Sequence, residues 1–68
     1  MNKDIIEGNW KIVKAKLKQE WGKFTDDDVE QMKGTYDELI GRLQKTYGYE
    51  KERAEKELDK FVNKNKLQ

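Results

Sequence analysis

Asp26-Asp27-Asp28 is the part of this chain whose residue types come nearest to a divalent-cation site. A calcium or magnesium loop needs oxygen ligands at alternating positions, a glycine at the bend and a distant bidentate glutamate. Three consecutive aspartates at a helix start aim in different directions, and no glycine or glutamate stands at the required offset. Thr25, just before them, is a good N-cap, and the helix dipole favours negative charge in the first turn. The run is therefore read as a helix start, and no metal is expected there.

General acid–base work would need carboxylates with perturbed ionisation, and Asp37, Glu38, Glu50 and Glu52 are the candidates. Each lies among other charges on a polar face, where water keeps a carboxyl ordinary. The chain has no histidine, no cysteine and no glycine-rich phosphate loop. Catalysis is not expected, and neither is a cofactor.

Lys11, Lys14 and Lys18 recur at i, i+3 and i+7 beside an apolar stripe. Such a row could track a nucleic-acid backbone or rest on an anionic membrane. It is more ordinarily the pattern of a solvated helix flank whose lysine stems cover the edge of a core. These three lysines are the only candidate ligand contacts, for nucleic-acid phosphates or an anionic membrane, and the partner of the chain as a whole is left open as a protein or a nucleic acid. Trp10, Trp21, Tyr36 and Tyr47 could offer stacking faces, but all four sit on inner stripes and read as core. Ile12 points roughly 160–200° away from the stripe, so it is expected to be exposed or to touch a partner.

The elements that carry these residues form a near-repeat at an offset of 26 residues. Gly8, Trp10, Val13, Ala15, Lys16, Leu17, Trp21 and Gly22 line up with Gly34, Tyr36, Leu39, Gly41, Arg42, Leu43, Tyr47 and Gly48. A regular period of this size marks a supersecondary unit used twice, here a helix, a turn and a second helix. The first strong helix is predicted from about Gly8 to Trp21, with Ile6, Trp10, Val13, Leu17 and Trp21 along one stripe and Gly22 as a left-handed end. A turn over Lys3–Glu7, capped by Asn2, is left open. Val29, Met32, Tyr36, Leu39, Ile40, Leu43 and Tyr47 hold a second stripe that begins at Thr25. Gly34 falls inside it, and the repeat favours a break there over a bend. Gly48 ends this stretch. A last helix runs from near Glu50 to about Asn63 with Ala54, Leu58, Phe61 and Val62 inward, and with Glu52–Lys56 and Arg53–Glu57 as supporting pairs. Lys64–Gln68 has no stop signal and is expected to fray. Ala15 and Gly41 lie off the stripes and are read as small residues that admit a close helix backbone, so Gly41→Leu is expected to disrupt packing.

Sixty-eight residues make one domain, 1–68, expected as a monomer. A chain this short buries roughly 60% of its unfolded surface and carries about 3–5 kcal/mol of stability. Charged residues are 43% and hydrophobic residues 34%, near the border with disorder, and it is the placement of the apolar residues that argues for a fold. The predicted core is Trp10, Val13, Leu17, Trp21, Phe24, Val29, Met32, Tyr36, Leu39, Ile40, Leu43, Tyr47, Leu58 and Phe61. Residues 1–23 carry net +3, residues 24–38 net −5 and residues 39–68 net +3. This layout is either complementarity between packed helices or a basic surface for phosphates. No apolar run marks a signal peptide or a membrane span, and a cytoplasmic location is expected.

Several of these motifs together resemble a known family. Gly8-Asn9-Trp10-Lys11, Glu20-Trp21-Gly22-Lys23 and Thr25-Asp26-Asp27-Asp28 are similar to the first half of the CsbD-like (YjbJ-like) small bacterial stress proteins. Gly34, Asp37-Glu38-Leu39-Ile40-Gly41, Tyr47-Gly48-Tyr49 and Ala54-Glu55-Lys56-Glu57 resemble the second half, so the likeness covers about residues 2–60. It implies a cytoplasmic protein of the general stress response, with no known catalytic residue or cofactor. It also implies an all-α bundle of four helices in two packed hairpins, similar to sterile-alpha-motif domains, or three helices if Gly34 only bends. The sequence departs from the family pattern at Ala15, where relatives usually carry glycine, and at Thr35-Tyr36, where they usually carry two basic residues. The expected function is non-catalytic, by binding or by abundance. Nucleic-acid association through Lys11, Lys14 and Lys18, and peripheral attachment to anionic membranes through the same row, are the alternatives.

Overall fold

In a computed structural model, which describes residues 2–67, the chain forms five helices and no strand among those residues. They are α1 (Asn2–Gly8), α2 (Trp10–Glu20), α3 (Asp26–Gln31), α4 (Tyr36–Tyr47) and α5 (Lys51–Lys64). The all-α expectation holds, but with five helices where four were expected. The extra helix is the segment left open ahead of Gly8. Asn2 lies inside it and does not cap it; its side-chain amide donates to the Asp59 carboxylate on α5.

Asn9 makes the difference between one long first helix and two. Its backbone leaves helical geometry (φ −115°, ψ 28°), while its side-chain amide donates to the Ile5 carbonyl at 2.8 Å and to the Leu67 carbonyl at 3.3 Å. An asparagine that bonds nearby carbonyls offers the chain an alternative to the helix ladder. α1 therefore turns away from α2 and packs against α4 and α5.

The helix ends follow their local chemistry. Thr25 and Thr35 cap α3 and α4 with side-chain oxygens that accept from the backbone N–H groups of Asp28 and Glu38. Between these two helices Lys33 (φ 53°) and Gly34 (φ 76°) are both left-handed, so Gly34 breaks the chain as the repeat predicts. Gly48 is left-handed too (φ 71°) and closes α4 by donating to the Gln44 carbonyl. Gly22 does not behave this way. It is absent from the positive-φ glycines, because the chain turns out at Trp21 (φ −123°, ψ 88°) and closes with a bond from the Phe24 N–H to the Trp21 carbonyl.

The tail expected to fray is instead ordered through Leu67, while Gln68 and Met1 lie outside the described residues. The Leu67 N–H donates to the Val62 carbonyl at 3.2 Å, the Lys66 N–H to the Asn63 carbonyl at 3.3 Å, and Lys66 is left-handed (φ 53°). These are the two bonds of a Schellman motif built on a lysine where glycine is usual. It folds Leu67 back onto the core, leaving it 9% exposed.

The core matches the predicted one in eleven residues, from Val13 and Leu17 on α2 to Leu58 and Phe61 on α5. Trp10, Tyr36 and Tyr47 are only half-buried and pack against its edge. Ile6, Ala54, Val62 and Leu67 complete it.

The small-residue reading of Ala15 and Gly41 fails. Both are exposed, and nothing lies within 4 Å of where a Gly41 Cβ would stand. No helix backbone approaches there, so Gly41 is only an unfavourable residue inside α4. Gly41→Ala is expected to raise stability by about 1 kcal/mol, the difference in helix propensity. A thermal melt followed by circular dichroism checks this as an upward shift of the midpoint.

Candidate functional site

The three aspartates stand at the start of α3, and Asp28 completes a capping box. The Thr25 N–H donates to Asp28 Oδ2 at 3.0 Å, and the Asp28 N–H donates to Thr25 Oγ1 at 3.2 Å. That backbone hydrogen bond from Thr25 is the main cause holding the Asp28 carboxyl below its ordinary value, with Arg42 and Lys45 helping and desolvation opposing. Asp26 is lowered in the same direction by its bond to Lys18. Among the described residues no group of three or more metal-ligating side chains converges.

A carboxyl with a depressed folded pKa stabilises the fold above its unfolded value, here near 3.8, and this contribution is lost as pH falls through the folded value. The midpoint of unfolding is therefore expected to hold from neutral pH to about pH 5 and to fall below about pH 4. Asp28→Asn, which cannot titrate, should show a smaller drop between neutral and acid melts than the parent chain.

The basic row on α2 is largely engaged. Lys14 pairs with Glu30 on α3, and Lys18 pairs with Asp26. Arg42 on α4 reaches Asp28 at 3.4 Å and also donates to Gln31, while Lys64 on α5 meets Glu20 at 3.2 Å. The acidic middle segment thus lies against basic residues from both sides, the complementarity that the charge layout suggested. Of the three lysines, Lys11 alone has no ion pair among the described residues. Ile12 beside it is 48% exposed, the one large hydrophobic in that state among the described residues.

Of the paired-carboxylate candidates, Asp37 and Glu38 occupy the first turn of α4, Glu50 precedes α5, and Glu52 meets Lys56 at 3.9 Å as expected. The Arg53–Glu57 pair does not form. Glu57 meets Lys60, and the Arg53 guanidinium lies 4.5 Å from the centre of the Tyr49 ring. Tyr49 stacks on Tyr47 (5.5 Å, 27°), and Lys23 sits 5.4 Å from the Tyr47 ring centre while its backbone N–H donates to the Tyr47 hydroxyl. This ladder clasps the α4–α5 turn to the α2–α3 turn. The Tyr47 ring thus meets neighbours inside the molecule and Trp21 is buried, while Trp10 and Tyr36 pack half-buried against the edge of the core.

Two groups escaped the sequence reading. Glu7 on α1 accepts from the Tyr36 N–H at 2.8 Å and so caps the start of α4 from a distance in sequence of 29 residues. No local pattern reveals such a contact. The other is an open cleft between α1 and α5 with Tyr36 at its rim and Glu52, Glu55 and Asp59 along one wall. Burial first, then the charges of Glu55, Asp59 and Asp37, push the Tyr36 phenol above its ordinary value. The spacing of those acids along one helix face was the available signal.

Among the described residues no helix is long and apolar enough to cross a membrane. The CsbD-like family profile matches residues 4–56. The UPF0337 protein ECA0631 of Pectobacterium atrosepticum is 53% identical over 66 residues, covering 97% of this chain and 96% of that one. The UPF0337 protein YjbJ of Escherichia coli K12 is 49% identical over 65 residues, with 96% and 94% covered. The UPF0337 protein pc0632 of Protochlamydia amoebophila is 48% identical over 66 residues, with 97% and 100% covered. No solved structure gives a significant match. None of these names states a reaction.

Proposed function

The chain belongs to the CsbD-like family, and from that premise we propose that it is a non-catalytic protein of the bacterial general stress response, acting in the cytoplasm by binding or by abundance. The observation that carries the non-catalytic part is the use made of its chemical side chains. The Asp26–Asp28 run caps a helix, and Lys14 and Lys18 hold α2 to α3. Stress association and location follow from the family resemblance. The sterile-alpha-motif-like arrangement belongs to the same proposal; the packing of α2 with α3 and of α4 with α5 supports two hairpins, while α1 adds to them.

The test is made in the source bacterium by quantitative mass spectrometry of the protein before and after osmotic shock and on entry into stationary phase, together with survival of a deletion strain. A several-fold rise and a survival defect are expected. A constant low level with unchanged survival would sink the reading.

Nucleic-acid association through Lys11, Lys14 and Lys18 competes with the ion pairs that hold two of these lysines. Backbone-amide NMR with a short DNA duplex separates the readings. Coordinated shifts at all three that fade with salt place the phosphate reading first, and a spectrum that stays still removes it.

A further inference from the structure

We propose that a second copy of this chain docks head to tail, its acidic α4–α5 face (Asp37, Glu55 and Asp59 around Tyr36) against the outer face of α2 (Lys11, Ile12, Ala15 and Lys16). The inference stands on the surface of this chain and does not depend on the stress reading.

The outer face of α2 is what remains after Lys14 and Lys18 are engaged by α3. At 100° per residue, Lys11, Ala15, Ile12 and Lys16 fill a sector of about 140°. Ile12 and Ala15 are exposed in its centre, with Lys11 and Lys16 on either side. Neither lysine has an ion pair or a side-chain hydrogen bond among the described residues. An exposed isoleucine between two unpartnered cations fits a partner that is acidic around an apolar or aromatic centre.

The same molecule carries such a surface. Tyr36 is half-buried at the rim of the cleft, and Glu55 and Asp59 share the wall beside it. Asp37 follows Tyr36 directly in the first turn of α4 and adds its charge beside the cleft. Lys3 and Lys56 also line the cleft; Lys56 meets Glu52 at 3.9 Å, and Glu55, Asp59 and the nearby Asp37 outnumber the remaining cation, Lys3. Asp37 and Glu55 have no cationic partner among the described residues.

The internal repeat relates the two faces. Trp10 corresponds to Tyr36, Leu17 to Leu43 and Trp21 to Tyr47, so the inner positions agree in type. At the outer positions Lys11 corresponds to Asp37 and Ile12 to Glu38. The half-repeats thus differ in charge at the first of these positions, while Ala15 and Lys16 keep their types as Gly41 and Arg42, and Glu55 and Asp59 join the acidic face from α5. Lys11 and Asp37 are exposed and unpaired on the same molecule among the described residues, and opposite charges so placed favour contact between copies. Contact of unlike patches is heterologous and extends into rings or open chains.

One face of an 11-residue helix buries less than the roughly 1,200 Å² of a stable interface. Association is therefore weak, salt-sensitive and visible at high concentration. The experiment is sedimentation equilibrium of the full chain at low salt. The apparent mass is expected to rise roughly 1.5-fold above 8.2 kDa at about 1 mM protein and to return to it near 0.5 M salt. Two charge-reversed proteins complete it, Lys11→Glu with Lys16→Glu, and Asp37→Lys with Glu55→Lys. Each alone should stay monomeric while keeping the parent circular dichroism spectrum, and an equimolar mixture should associate again because both interfaces regain opposite charge. A parent chain that remains monomeric at low salt overturns the proposal. So does association that survives either reversal, or a reversed pair that fails to recover on mixing. Binding of α2 to a DNA duplex or to anionic vesicles without self-association would also overturn it and assign the face to another occupant.

Discussion

Phe61→Ala is expected to leave the chain at least half unfolded at 25 °C. Phe61 is 1% exposed and its ring centre lies 5.3 Å from that of Trp21, which is itself 5% exposed. Trp21 continues to Phe24 at 6.3 Å, and Phe24 meets the edge of Tyr47 at 5.9 Å and 83°. Four of the chain's seven aromatic residues thus join α5 to the ends of α2 and α4 in one contiguous cluster. Truncating a buried phenylalanine costs about 3–5 kcal/mol, the lost transfer energy plus the cavity left behind. A fold of this length, with neither disulfide nor metal to staple it, has about 3–5 kcal/mol in all. The two numbers are of the same size, so the net stability falls to about zero and the expected readout is loss of roughly half or more of the helical circular dichroism signal at 25 °C together with a red-shifted Trp21 emission. A cooperative melt displaced by less than about 10 °C, roughly 2 kcal/mol for a chain this small, would show that the cluster is peripheral to stability.

The interior was legible because it rests on periodicity. Val13, Leu17, Leu39, Leu43 and Leu58 are each fully buried, and each is placed inward by 3.6-residue spacing alone. Capping was legible for the same reason, since Thr25 and its aspartates act within a few residues of one another. What escaped depends on contacts distant in sequence. Asn9 reads as one more residue of a long first helix until the Leu67 carbonyl is available to its side chain. Leu67 reads as tail until Lys66 takes up a left-handed conformation that lysine adopts only when packing rewards it. The candidate site divides along the same line. Spacing placed Lys11, Lys14 and Lys18 together on α2, but which of them is open to a partner is decided by Glu30 and Asp26 on α3. A charge is countable from sequence, whereas its availability is a property of the assembled surface.

Gly34→Val is expected to cost about 2–3 kcal/mol, the largest effect after truncation of the aromatic cluster. Two causes act together. Gly34 stands at φ 76°, where a β-branched residue is an outlier, and Lys33 before it is already left-handed, so the strain cannot be passed back along the chain. A Cβ at position 34 would meet the Trp10 indole at 3.4 Å, an ordinary contact, but the methyl groups beyond it would push the ring aside. Three variants separate the causes. Asparagine tolerates the left-handed region and should cost least; alanine should cost about 1–2 kcal/mol for backbone handedness alone; valine adds the collision with the indole. Urea midpoints should fall in that order, and Trp10 emission should shift only in the valine variant. If α3 and α4 were instead one continuous helix, alanine at position 34 would stabilise the chain by propensity, as it is expected to do at Gly41. Opposite signs for the same substitution at positions 34 and 41 therefore distinguish a glycine required by backbone conformation from one that helix formation merely tolerates.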